Sequence, residues 1–153
     1  MKKILKYIPV MLMALCLGFT FVACSDGDTE EEITVKDQLP MEAKSFIDSY
    51  FTDYEIVKVI KNNDNPVWYE VQFRGGGEIK FDANGRWYEV EGDHNLPLPK
   101  GFYPEAIDTY VAANYPNSFI EEMQRDARGY EVDLHNEVDL LFGTNGDFLD
   151  IKH

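Results

Sequence analysis

The sequence predicts an α+β fold: two tandem units, each a helix followed by a four-strand antiparallel meander, form one domain with the helices on one face of the sheet. Three observations carry this prediction. The strand-rich stretch WYEVQFRGGGEIKFDANGRWYEVE at 68–91 has a counterpart about sixty residues later, where Tyr130, Val132, Leu134, Leu140 and Phe142 stand in for Tyr69, Val71, Phe73, Ile79 and Phe81. An apolar stripe at helical spacing precedes each copy. An Asn-Gly dipeptide, Asn84-Gly85 or Asn145-Gly146, sits between the third and fourth strands of both.

The chain opens with Lys2, Lys3 and Lys6 and an apolar run over 8–21, too short to span a bilayer and of the length of a cleaved signal. Phe21-Val22-Ala23-Cys24 resembles the lipobox of bacterial lipoproteins, which predicts a signal peptide at 1–23 and acyl chains on Cys24. Cys16 would leave with the signal, so the mature chain has no thiol pair for an internal disulfide and depends on its core. Loss of those three lysines, with no acid lost, takes the formal net charge from −14 to −17. Such a charge argues against nucleic acid and against anionic headgroups, leaving lipid as the membrane contact.

Residues 24–38 are polar and acidic and predict a solvated tether. Their acidic run resembles the export signal of surface lipoproteins in Bacteroidetes, so the domain is expected on the outer membrane, facing either the periplasm or the cell surface. The folded domain is expected over 39–153, with units at 39–91 and 98–152. In the first, Ala43, Phe46, Ile47, Tyr50, Phe51 and Tyr54 make one helical stripe behind Pro40. In the second, Ala106, Ile107, Tyr110 and Val111 repeat it behind Pro104, and Pro116 ends the helix.

The first strand of each unit, at 56–61 or 120–125, alternates poorly, which suggests an edge position or a strong twist. The second alternates cleanly, with Tyr69, Val71 and Phe73 opposite Trp68, Glu70 and Gln72. Ile79 and Phe81, or Leu140 and Phe142, face the core from the third. Tyr88 and Val90, or Leu149 and Ile151, are expected to do so from the fourth. The two Asn-Gly turns are expected to be type I′, with both residues at positive φ.

A lipobox followed twice by Leu-Pro, a helix, Tyr-Glu-Val and Phe-Asp-x-Asn-Gly-x-Trp, the last with Gly143 for the Asp and Phe148 for the Trp in the second unit, resembles the PepSY-like, beta-lactamase-inhibitor-like repeat domain of exported Bacteroides proteins. The resemblance implies a sheet whose concave face holds a protein target, and an inhibitory or regulatory role. No signature residue of inhibition is recognisable, so none is carried over.

No constellation for catalysis stands out. The Gly-x-Ser-x-Gly elbow is missing, and His94, His135 and His153 lack the spacing of a metal site and read as solvent residues. Gly75-Gly76-Gly77 reads as a hairpin turn, and Asp82-Ala83-Asn84-Gly85 lacks the spacing of an EF-hand loop. The chain is therefore expected to be no enzyme and to need no cofactor or metal. Strand parity places Trp68, Glu70, Gln72, Lys80, Trp87 and Glu89, with Glu131, Asp133, Phe148 and Asp150, on the face turned away from the helices. Aromatic anchors among polar residues suit a protein interface. The expected function is a lipid-anchored binding module of the cell envelope that docks a protein partner there through Trp68, Glu70, Trp87, Glu89, Glu131, Asp133, Phe148 and Asp150. The alternative is a small-ligand or cation module, with calcium on the acids or a glycan on the aromatics.

Overall fold

The structure is a computed structural model that describes residues 30–32, 36–63, 65–93 and 95–152. The signal segment 1–23, Cys24, His94, His153 and most of the predicted tether lie outside these residues. Nine strands form one antiparallel sheet in chain order: β1 (Glu30–Glu32), β2 (Ile56–Asn62), β3 (Trp68–Phe73), β4 (Glu78–Asp82), β5 (Trp87–Glu91), β6 (Ile120–Arg125), β7 (Gly129–Leu134), β8 (Val138–Gly143) and β9 (Phe148–Lys152). Helix α1 (Met41–Tyr50) precedes β2, and α2 (Glu105–Asn114) precedes β6. Among the described residues no helix is long and apolar enough to cross a membrane.

One of these strands falls in the stretch expected to be a solvated tether. β1 pairs antiparallel with β2, Glu31 opposite Lys61, and so occupies a backbone edge that β2 would otherwise leave open. The poor alternation of β2 and β6 also has a local cause. Each strand carries a one-residue bulge, at Val57 and at Glu121, that interrupts the pleat. The expected edge position is corrected for β6, which lies between β5 and β7 in the middle of the sheet.

The core is one layer between sheet and helices. Ala43 and Ile47 of α1 are buried in one cluster with Val71, Phe73, Ile79 and Phe81, as are Ile107 and Val111 of α2 with Val132, Leu134, Leu140 and Phe142. Phe46 meets Phe81 and Tyr110 meets Phe142, ring centroids 5.8 and 5.5 Å apart. Val90 and Met123 join the two groups into one cluster. Both helices therefore cover the same face. α1 is shorter than its apolar stripe suggests: it stops at Tyr50, and Phe51 caps it by donating its N–H to the Ile47 carbonyl. Phe51 then stacks on Phe73, centroids 5.5 Å apart, and Tyr54 reaches both rings from beyond the helix end.

The Asn-Gly turns form where expected, but not as type I′. Gly85 and Gly146 have φ of +87° and +84°, whereas Glu137 is the only non-glycine with positive φ among the described residues. Gly85 N–H donates to the Asp82 carbonyl at 2.9 Å, and Asp82 N–H donates to the Arg86 carbonyl at 2.9 Å. This is a type I turn closed by a left-handed glycine. What lies above the turn also requires glycine there. A Cβ on Gly85 would stand 2.7 Å from the Ala43 nitrogen and 2.8 Å from Pro40 Cβ, and one on Gly146 would stand 2.8 Å from Pro104 Cβ. Each turn thus seats against the start of a helix that lacks a side-chain cap.

Alanine at either glycine should therefore be costly on two counts, left-handed φ and contact with the helix start. Gly85→Ala and Gly146→Ala are each expected to lose at least about 1 kcal/mol. Thermal unfolding reads this as a fall of several degrees, and an unchanged melting temperature would refute the seating.

Candidate functional site

The face opposite the helices is organised by register. Its first row runs Ile60, Glu70, Lys80, Glu89, Gln124, Glu131, Leu141, Asp150, one residue from each strand from β2 to β9. The second row runs Lys58, Gln72, Glu78, Glu91, Glu122, Asp133, Asp139, Lys152. The structure thus brings five predicted residues, Glu70, Glu89, Glu131, Asp133 and Asp150, into two adjacent lines. Trp68, two residues before Glu70 on β3, shares their face.

Trp87 and Phe148 do not. Phe81 pairs with Trp87 and Lys80 with Glu89, so Tyr88 is an extra residue on β5; Leu149 is the extra residue on β9 in the same way. A bulge reverses the parity beyond it. Trp87 is turned to the core, 4% exposed, with Phe102 edge-on at 5.2 Å. Phe148 stacks on Tyr110 of α2 at 4.3 Å. Tyr88 and Leu149, expected inside, are outside instead: burial raises the Tyr88 pKa, while the charges of Lys80, Glu89, Glu70 and Glu78 act on it from the open face. Leu149 is 62% exposed.

The acids on this face are unevenly compensated. Lys80 pairs with Glu89 at 2.5 Å and Glu78 at 3.0 Å. Burial works against its charge, but those two hydrogen bonds outweigh it and hold the pKa above the usual lysine value. Gln72 donates to Glu70 at 2.6 Å, yet burial, aided by Glu78, keeps the Glu70 carboxyl above its ordinary pKa. Lys152 pairs with Glu131 at the far side. Between these lysines, Glu91, Glu122, Asp133 and Asp139 stand opposite one another on four successive strands. Burial first, then repulsion from Asp139, Glu122 and Glu131, pushes the Asp133 pKa up to about 7.

Sequence reasoning missed Glu78, Glu91, Glu122 and Asp139. Parity on β4, β5 and β8 would have found Glu78, Glu91 and Asp139; the bulge in β6 hid Glu122. His135 is exposed, as expected, but its Nδ1 lies 2.6 Å from Glu121 and its ring stacks on Phe119. Among the described residues no three His, Cys, Asp or Glu gather closely enough to hold a metal ion.

The family model described as "Putative beta-lactamase-inhibitor-like, PepSY-like" matches residues 67–150. Among solved structures, a "putative calcium-regulated periplasmic protein" from Bacteroides thetaiotaomicron is similar at a TM-score of 0.75 and 33% identity, over 81% of this chain and 97% of its own. A "putative periplasmic protein" from Bacteroides vulgatus follows at 0.74 and 33%, over 82% and 98%. Another from Bacteroides vulgatus, described as of unknown function, is similar at 0.75 and 27%, over 81% and 99%. No curated protein matches the chain.

Asp133 gives a prediction with a definite sign. Its pKa is higher folded than unfolded, so between about pH 4 and about pH 7 the folded state holds more protons, and stability falls as pH rises through that window. Asp133→Asn should melt several degrees higher than the wild type at about pH 8 and show little difference at about pH 4. Thermal melts at both values check it; a variant that gains nothing at the higher pH would show that the repulsion is absent.

Proposed function

Because the chain belongs to the PepSY-like, beta-lactamase-inhibitor-like family, we propose that it is a binding module of the cell envelope that docks a basic surface of a protein partner on the open acidic face of its sheet. One observation carries this reading: acids stand directly opposite acids across β5, β6, β7 and β8. Like charges so placed cost a sheet stability, and covering them with cations turns that cost into binding energy. In this proposal the two helix-and-meander halves act as tandem repeats that share one face, and acyl chains on Cys24 hold the domain to the outer membrane. The domain binds and does not catalyse. Trp68 and Tyr88 remain as aromatic contacts at the rim, while Trp87 and Phe148 serve the core.

A second reading, calcium on the same acids, is favoured by the Bacteroides thetaiotaomicron relative being described as calcium-regulated. It uses Glu91, Glu122, Asp133 and Asp139, whose side chains would have to draw together around the ion. A glycan is less well served, since two of the three aromatics expected on that face, Trp87 and Phe148, turn to the helix side.

The test pairs the wild-type domain with Glu122→Gln/Asp133→Asn, each used to capture and crosslink proteins from native envelope. The expected result is a protein with a basic surface, retained by the wild type, lost by the variant, and released as salt rises to about 0.5 M. Equal retention by both would exclude this face. Calorimetry with calcium chloride separates the second reading: saturable heat in the wild type alone supports it, and no heat removes it.

A further inference from the structure

β5 and β6 pair through Glu89–Gln124, Val90–Met123 and Glu91–Glu122 and then part. Beyond Glu89 the gap is bridged by one side chain. Arg125 Nε donates to the Trp87 carbonyl at 2.6 Å, and the guanidinium carbon lies 4.1 Å from the centre of the Trp87 ring. A cleft of about 580 Å³ opens there, with Trp87, Tyr88, Arg125, Tyr130 and Thr144 in its lining. Arg125 also lines two neighbouring hollows of about 470 and about 200 Å³.

The charges around this cleft are nearly balanced, apart from one. Arg86 pairs with Asp82 at 2.9 Å, and Arg128 pairs with Asp126 at 2.6 Å. Arg125 makes no ion pair among the described residues, although the chain holds 28 acids against 14 lysines and arginines. Its Nε and its ring-facing surface are occupied, which leaves the terminal nitrogens without a protein hydrogen bond among the described residues. Burial lowers its pKa, while the charges of Glu42 and Asp82, neither of them in direct ion-pair contact with it, act in the opposite direction.

We propose that this cleft binds a small monocarboxylate with an aromatic or apolar body, its carboxylate held by the terminal nitrogens of Arg125 and its body against Tyr130, beside the edge of Trp87. A guanidinium edge matches a carboxylate with two parallel hydrogen bonds. One guanidinium without a direct ion pair suits a single negative charge, because Asp82 and Asp126 at the rim and Glu42 nearby repel a dianion more strongly. The volume lies within the range of small-molecule sites. This site does not depend on the reading of the acidic face, from which Trp87 is turned away.

The test follows the indole N–H of Trp87 by nitrogen-15 NMR during titration of the wild-type domain, with Trp68, the only other tryptophan, as internal reference. The probes are phenylacetate, the neutral isostere phenylacetamide, and inorganic phosphate. Phenylacetate should shift the Trp87 signal saturably, with phenylacetamide at least about tenfold weaker. Arg125→Gln should lose the preference for the anion, and Arg125→Lys should retain part of it. Three results would overturn the proposal: no saturable shift with phenylacetate, equal affinity for the amide, or tighter binding of phosphate. All three are read on the wild type, so misfolding of a variant cannot obscure them.

Discussion

Three residue pairs between β5 and β6 hold the molecule together as one body. Val90 and Met123, opposite each other at this seam, are both fully buried, and they make the core under α1 continuous with the core under α2. A half of the chain on its own would bury too small a fraction of its surface to be secure, and would expose an unpaired strand edge. The connecting segment reinforces the join. Gly92 N–H donates to the Glu121 carbonyl at 2.8 Å and Leu98 N–H to the Ile120 carbonyl at 3.0 Å, so the chain leaving β5 runs along β6 before it reaches α2.

The same seam makes the open face a single electrostatic object. If the two halves were separate sheets, Glu91 and Glu122 would lie on different bodies and their repulsion could relax. In one sheet they are fixed opposite each other, with Asp133 and Asp139 next in line. Lys80 pairs with Glu78 and Glu89 at one end of this field and Lys152 with Glu131 at the other. Asp133, half-buried among acids, registers the result in its raised pKa. The apolar inner face carries the stability that permits such an arrangement, and the open face can therefore be shaped by what it meets.

How much of this was legible in the sequence depended on whether the pleat was unbroken. On β3, β4, β7 and β8 a period of two holds, and Val71, Phe73, Ile79, Phe81, Val132, Leu134, Leu140 and Phe142 are core residues as their alternation requires. The first and fourth strands of each half carry bulges at Val57, Tyr88, Glu121 and Leu149, and a one-residue insertion leaves no mark in composition. That is why Glu70, Glu89, Glu131, Asp133 and Asp150 were placed correctly while Trp87 and Phe148 were not. Asn84-Gly85 located a turn but not its type, because a left-handed glycine closes both the two-residue type I′ loop and the longer loop built on a type I turn. Arg125 carried one faint signal: it shares the parity of Met123, which puts a cation on the core face.

The bulges also explain why the cleft at Arg125 occurs once. In both halves the bulge of the fourth strand turns one aromatic inward, Trp87 or Phe148, and one residue outward, Tyr88 or Leu149. The local geometry is alike, but the neighbours differ. β5 is followed across the sheet by β6, whose Arg125 lies over the Trp87 ring and takes its carbonyl where the strands separate. β9 is the last strand of the sheet, so Phe148 meets no such partner and stacks on Tyr110 of α2 instead. A bulge that only shapes an edge in the second half therefore opens, in the first, onto a strand that supplies a half-buried cation. The chemistry of that position comes from which strand stands beside it, not from the local pattern of residues that the two halves share.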